Sequence, residues 1–253
     1  MELGLKNKVA LVTGAGSQKG FGKAIALTLA KEGCDVIVAD IELNGARQTA
    51  AEIEALGRKA LAVKADISKN NEVSELAQSA LAKFGRIDIL VNNAGGIFSL
   101  KLFSEKTEAE CDTDINLNLK GAMTCVRAVV GPMLSQKSGK IINIASIGAQ
   151  KGMAHTVVYN AAKAGIVGFT RSLAVELGPF GINVNCVSPG LGITNFGGGP
   201  PPAEMLKGAV ARIPARRTTA PQDIANAVAF LASDVSSDIM GQTIGVDGGE
   251  SVI

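Results

Sequence analysis

The chain has 253 residues, of which 25 are Lys or Arg and 23 Asp or Glu, giving a net charge of +2, and 47% of it is apolar. Near-neutral charge argues against the clustered basic face of a nucleic-acid binder, and a single His excludes a multi-histidine metal site. With no Trp and one Tyr, any tyrosine chemistry must fall on Tyr159.

Short β-branched runs alternate with longer helical ones along the chain. Val9 to Thr13 reads as a strand, followed by a glycine-rich turn and an Ala/Leu-rich helix over about 20–32. Asp35 to Ala39 is a second strand, with a helix to about Leu56. Ala60 to Val63 is a third, with a helix over about 70–83, and Ile87 to Val91 a fourth. A long helix is expected over about 108–135, a fifth strand over Lys140 to Ile144, and a second long helix over about 156–177. Ile182 to Val187 and Thr243 to Val246 complete seven strands. Strands that read as continuous apolar runs, separated by helices, predict a parallel sheet covered on both faces. The fold class is therefore α/β, a single Rossmann-type doubly wound parallel seven-stranded sheet spanning 1–253. The run Gly197 to Pro202 cannot be regular helix or strand, and a mobile substrate lid over about 191–212 is expected around it.

Cys34, Cys111, Cys125 and Cys186 have no zinc or redox spacing and read as buried thiols in a reducing cytosol. The apolar run Val9 to Val12 is too short for a signal peptide, and no stretch approaches the roughly 20 apolar residues of a membrane span. A cytoplasmic protein without nucleic-acid or membrane partners, and without a metal, is expected.

The first strand runs into Gly14, Gly16, Ser17, Gly20, Phe21 and Gly22, and a helix begins at once. Glycines let the backbone approach a pyrophosphate, and the helix N-terminus offers free N–H groups to it. The second strand ends in Asp40, beside Ile41. A carboxylate there accepts from both hydroxyls of an adenosine ribose and repels a 2′-phosphate, which favours NAD over NADP. Lys19 and Arg47 are the counter-evidence, since either could reach a phosphate.

Tyr159 and Lys163 lie four residues apart on one helical face, and Ser146 follows the fifth strand. Free Tyr titrates near 10, and bringing it to about 7 needs roughly 4 kcal/mol. The Lys163 cation and a charged nicotinamide ring can supply that, so a phenol midpoint below 10 is expected in the free protein and a lower one with NAD bound. The phenolate would take the proton of a substrate hydroxyl as hydride leaves for the nicotinamide, with Ser146 holding the same oxygen.

With its glycine loop, Asp66, Asn92 to Gly95, Asn118, Ser146, Tyr159-x-x-x-Lys163, Pro189-Gly190 with Thr194, and Val246 to Gly249, the whole chain resembles the short-chain dehydrogenase/reductase family. The resemblance implies a catalytic tetrad of Asn118, Ser146, Tyr159 and Lys163, in which Lys163 holds the nicotinamide ribose and Asn118 anchors a water leading to solvent. It implies that Asp66 and Ile67 meet the adenine. Asn92, Ala94 and Gly95 would line the adenosine side, and Pro189, Gly190 and Thr194 the nicotinamide end. It also implies a homotetramer, with the two long helices as a dimer interface. Two departures stand out. Gly14 to Gly20 encloses five residues where the family has three, which should bulge the loop beside the pyrophosphate and let Gly16 or Ser17 take a phosphate contact. Gly192 stands where the family commonly has a branched apolar residue, which leaves more room near the carboxamide or changes the local backbone.

For substrate, the expected neighbours are Gly96, Ile97, Phe98, Ser146, Gly148, Met153, His155, Tyr159, Leu191 and Phe196. Most are apolar, which suits a secondary alcohol or ketone, or a hydroxyacyl compound, with a mainly apolar body. His155 is either a surface residue or a contact for a substrate carboxylate or thioester. The alternatives are an NADPH-dependent 3-oxoacyl thioester reductase of fatty-acid synthesis, related epimerase or sugar-modifying chemistry, and a non-catalytic nucleotide-binding regulator.

Overall fold

The seven apolar runs form one parallel sheet in the order β3-β2-β1-β4-β5-β6-β7. The strands are β1 (Val9–Thr13), β2 (Asp35–Asp40), β3 (Ala60–Lys64), β4 (Ile89–Asn92), β5 (Gly139–Ile144), β6 (Ile182–Pro189) and β7 (Thr243–Val246). The structure is a computed structural model describing residues 2–194 and 203–252. β1 pairs with both β2 and β4, so the strand order reverses at β1, and ligands of such sheets bind at the carboxyl ends beside that reversal.

One face of the sheet carries α1 (Phe21–Lys31), α2 (Leu43–Ala55) and α8 (Pro221–Ala232), whose Ile25, Leu29, Ile53, Ile224, Val228 and Leu231 enter one core. The other carries α3 (Asn70–Phe84), α5 (Gly121–Gln136) and α6 (Val157–Leu177), which contribute Val73, Leu76, Val129, Met133, Ala174 and Leu177 to a second. Small α7 (Ala203–Val210) precedes α8. Neither α7 nor α8 is evident from strand-and-helix periodicity, yet α8 packs along α1 with Pro221 at its first turn and Asp223 accepting from the Ala220 amide at 2.9 Å.

The long helix expected over 108–135 is interrupted. Helix α4 (Glu108–Ile115) starts on a Thr107–Glu110 capping box, and Asn116–Lys120 then takes the wider π turn before α5 begins. The cause is polar: Asn118 is buried, and its Nδ2 donates to the carbonyl of Asp114 at 3.0 Å, inserting an amide into the helical ladder. A second polar chain crosses the core beneath. Asn92 Nδ2 donates to Asn143 Oδ1 at 2.9 Å, Asn143 Nδ2 to Thr170 Oγ1 at 2.9 Å, and Thr170 Oγ1 to the Ile166 carbonyl at 2.8 Å.

Among the described residues no helix is long and apolar enough to cross a membrane. The expected lid falls partly outside them: Phe196 and the run 197–202 are not among the described residues, and within the rest α7 is helical.

Candidate active site

Two of the expected tetrad residues, Asn118 and Ser146, come from segments that meet near the carboxyl ends of β4 and β5, and α6 runs past them to supply Tyr159 and Lys163. Ser146 follows β5 and caps a short 3-10 turn, accepting from the Gly148 amide at 3.1 Å. Tyr159 and Lys163 lie one turn apart on α6, both buried, and the Ser146 hydroxyl hydrogen-bonds to the phenol. Lys163 Nζ lies 5.8 Å from the Tyr159 ring centroid and donates to the Ile144 carbonyl at 2.8 Å. Asn118 closes the group: its Oδ1 accepts from the Gly96 amide at 3.0 Å, and its Nδ2 donates to the Gly96 carbonyl at 2.8 Å. Gly95 sits between the last two. A Cβ there would fall 2.8 Å from Asn118 Oδ1 and 3.2 Å from Lys163 Nζ, so the space above the lysine exists because residue 95 has no side chain.

Electrostatics corrects the expected phenol. Burial pushes Tyr159 up to about 12, the Ser146 hydrogen bond works against this, and the nearby Asp114 carboxylate adds to it. Burial also pushes Lys163 down to about 8. Burial thus works against the midpoint below 10 expected for the free protein. A lysine in a dry site sheds its own proton before it can stabilise a phenolate above it.

Asp114 was not picked out by the sequence reading. It lies one turn before Asn118 on the same inward face with its side chain 1% exposed, and the side chain of its partner Lys106, 3.3 Å away, is 0% exposed. Lys106 Nζ also donates to Ser99 Oγ at 2.7 Å and to the Ser99 carbonyl at 3.0 Å. The segment 95–106 is thus stapled at two points, by Asn118 at Gly96 and by Asp114 through Lys106 at Ser99. A charged residue four positions before Asn118, on a face that is otherwise inward, is the signal that marks it.

The nucleotide side is built around Thr13. Its Oγ1 accepts from the amides of Asn93 and Ala94, each at 3.1 Å, and Asn93 Nδ2 donates to the carbonyls of Thr13 at 2.9 Å and Gly14 at 3.1 Å. Asn93, within the Asn92 to Gly95 run that the resemblance places on the adenosine side, is therefore the clamp on the glycine turn. Asn92 is not a side-chain ligand: its amide is turned into the core toward Asn143 and the Ala122 carbonyl. The Ile67 side chain is buried, with its Cδ1 against Gly121. Asp66 stays at the surface end. Burial works against its charge, but the Ser68 hydroxyl and amide, with Lys69, hold its carboxyl below the usual range. Asp40 closes β2 with Oδ2 accepting from the Gly16 amide at 2.7 Å and Oδ1 from the Glu42 amide at 2.9 Å, and Ile41 beside it is 55% exposed.

At the opposite end, the Gly190 amide donates to the Val246 carbonyl at 3.1 Å, the Leu191 carbonyl accepts from Thr219 at 2.8 Å, and Thr194 is buried. The room expected beside Gly192 is filled by Phe21, because a Cβ at 192 would meet the phenyl Cζ at 2.6 Å. Phe98 and Met153 are exposed, and so is His155, whose φ is +65°. A separate cavity of about 340 Å³, lined by Arg217, Thr219, Asp223, Asn226 and the 245–249 turn, contains none of the tetrad.

A nicotinamide nucleotide fits these residues. Lys163 carries three donors, and among the described residues its one hydrogen-bond acceptor is the Ile144 carbonyl. A buried ammonium in that position calls for further acceptors, which the ribose hydroxyls of such a nucleotide would supply.

The chain matches the family model described as Enoyl-(Acyl carrier protein) reductase over residues 14–251. It is 43% identical over 250 residues to the BbsD subunit of a hydroxy(phenyl)methylsuccinyl-CoA dehydrogenase of Thauera aromatica, covering 99% of each chain. It is 42% identical over 247 residues to the 3-oxoacyl-(acyl-carrier-protein) reductase FabG of Staphylococcus epidermidis, covering 96% of this chain and 98% of that one. Among solved structures, a 7α-hydroxysteroid dehydrogenase complexed with NADH and 7-oxo glycochenodeoxycholic acid superposes with a TM-score of 0.92 at 36% identity, over 98% of this chain and 96% of the other. Levodione reductase gives a TM-score of 0.92 at 32% identity, over 98% of each chain.

Proposed function

The chain belongs to the short-chain dehydrogenase/reductase family of oxidoreductases acting on hydroxyl and ketone groups, and from that premise we propose an NAD-dependent dehydrogenase of secondary alcohols, hydroxyacyl thioesters foremost. The observation that carries the chemistry is the buried Ser146–Tyr159 hydrogen bond with the Lys163 ammonium one turn below. Bound nicotinamide supplies the hydride acceptor. Tyr159 takes the proton from the substrate hydroxyl, and Ser146 holds the same oxygen in line with it. Lys163 donates to the nicotinamide ribose and, kept charged there, favours the phenolate. Asn118 acts here by position. Its amide is spent on Gly96 and Asp114, so it sets the π turn and the 95–106 segment.

The NAD preference rests on Asp40, whose carboxylate suits ribose hydroxyls and repels a 2′-phosphate. The relative complexed with NADH supports it. The hydroxyacyl substrate rests on the BbsD resemblance. A second reading, an NADPH-dependent 3-oxoacyl thioester reductase, is favoured by the resemblance to FabG and opposed by Asp40. A homotetramer is part of the proposal, supported by Val157 and Val175, exposed apolar residues on α6. So is a cytoplasmic setting, supported by four cysteines that are all free thiols.

The test is a panel of secondary alcohols, hydroxyacyl-CoA thioesters and the matching ketones, followed at the nicotinamide absorbance with each nucleotide. Turnover with NAD should exceed that with NADP, and Tyr159→Phe should lower kcat by about 10²–10⁴ with the fold intact. Near-normal turnover in Tyr159→Phe removes the mechanism.

A further inference from the structure

The glycine turn, two residues longer than the family pattern, lies against α2, and one side chain, Gln18, ties it down. Its Nε2 donates to the Gly16 carbonyl at 2.8 Å, to the Gly45 carbonyl at 3.2 Å and to Thr49 Oγ1 at 3.4 Å. Its Oε1 accepts from Lys23 Nζ at 2.5 Å, and Lys23 reaches on to Glu52 at 2.6 Å. Thr49 Oγ1 in turn donates to the Ala15 carbonyl at 2.9 Å. Residue 45 must be glycine because the Gly16 carbonyl lies where its Cβ would go.

The consequence falls on Asp40. Gly16 is packed against that side chain, a Cβ at 16 falling 2.8 Å from the Asp40 Cγ, and the Gly16 amide is the donor that holds Oδ2. The Glu42 amide holds the other oxygen. With both oxygens fixed by backbone donors, the carboxylate cannot swing away from a ligand on the ribose side, and each oxygen keeps a lone pair for a hydroxyl. A continuous chain therefore runs Glu52–Lys23–Gln18–Gly16–Asp40, joining α2, α1, the glycine turn and β2.

We propose that Gln18 is a positioning residue for nucleotide choice: by pinning Gly16 it locks the Asp40 carboxylate in the orientation that accepts the ribose hydroxyls of NAD and repels the phosphate of NADP. A carboxylate free to rotate accepts less from the diol and can turn from the extra phosphate. Removing the lock therefore weakens NADH and spares NADPH, so the affinity ratio falls by the NADH factor. The inference rests on the NAD reading above, and its test separates the two.

Direct titration of NADH and NADPH, followed by nucleotide fluorescence, needs no substrate and meets no Trp background, since the chain has none. Wild type should bind NADH more tightly than NADPH. Gln18→Ala should raise the NADH Kd about tenfold, equivalent to about 1.4 kcal/mol, leave the NADPH Kd within about twofold, and leave the Tm near wild type. In the nucleotide-free protein the Gly16 amide should exchange at least tenfold faster. Gln18→Asn, which keeps the amide but shortens its reach, should fall between and serves if the alanine variant folds poorly. Wild type favouring NADPH overturns the NAD reading. Wild type favouring NADH while Gln18→Ala and Gln18→Asn keep the same ratio, with Asp40→Ala losing it, overturns the role of Gln18 and leaves that of Asp40 standing.

Discussion

Titration of Tyr159 offers a sharp test of the site, because the chain holds one Tyr and no Trp and phenolate absorbance reports that residue alone. Without nucleotide the midpoint should lie near 12, since the ring is buried. Lys163, pushed to about 8, has by then lost its charge. Turnover near pH 8 requires the phenol to come down about four pH units, or about 5.4 kcal/mol at 1.36 per unit. Lys163 Nζ lies 5.8 Å from the ring centroid. A unit charge about 6 Å away, at an effective dielectric constant of about 20, contributes about 2.8 kcal/mol. Two cations of that kind, the ammonium kept charged by ribose hydroxyls and the oxidised nicotinamide ring, account for the fall. With saturating NAD the midpoint should therefore lie near about 8, and in Lys163→Met with NAD near about 10. A nucleotide-free midpoint at or below 10 refutes the burial argument, and a fall of less than one pH unit on adding NAD refutes the two-cation argument. The linkage has a fixed sign. Folding raises this pKa, so stability is fully present below about 10 and is lost as pH climbs from there toward 12.

Three further outcomes follow from the packing. Lys106→Met or Asp114→Leu alone should destabilise the fold by about 3–5 kcal/mol, because each leaves one buried charge unpaired, whereas the double variant should regain most of that. Urea unfolding measures it, and neutral single variants would show the pair to be idle. Gly192→Val should weaken nucleotide binding and destabilise by about 1–3 kcal/mol through collision with Phe21, and Phe21→Ala should relieve it. A Gly192→Val protein indistinguishable from wild type in Tm and NADH affinity contradicts that contact. Of the four thiols, Cys34, Cys125 and Cys186 are buried, with burial pushing them to about 12, about 12 and about 11, so iodoacetamide at pH 8 should label Cys111 first. Peptide mass spectrometry reads the order, and prompt labelling of Cys186 would mean that the strand beside Lys163 opens.

The strands were legible because they are short apolar runs, the five central ones, β2, β1, β4, β5 and β6, being buried nearly throughout, and Ser146, Tyr159 and Lys163 because strand end and helical spacing place them by geometry alone. The interruption at 116–120 was not, since a π turn carries no periodicity of its own and arises from where the Asn118 amide finds its acceptor. Asn92 and Asn93 could not be told apart by type; alternation along β4 sends one into the core and the other over the glycine turn. Around Tyr159, charge spacing is visible in a sequence and desolvation by burial is not. Gln18 escaped because its partners, Gly45 and Thr49, lie on the next helix, and α8 because its apolar face answers α1 rather than a local pattern.

The polar chain Asn92–Asn143–Thr170 bears on how the sheet finds its pairing. Asn92 and Asn143 are direct register partners on β4 and β5. Strands of Val, Ile and Leu are nearly interchangeable along their length, and a slip of two residues keeps every side chain on its proper face. Such a slip would set Asn143 opposite Leu90 and strand both amides in the core, at about 1–3 kcal/mol for each unmet group. The amides thus serve as a key that only one alignment turns, discriminating the native pairing from near-misses that hydrophobicity alone would accept.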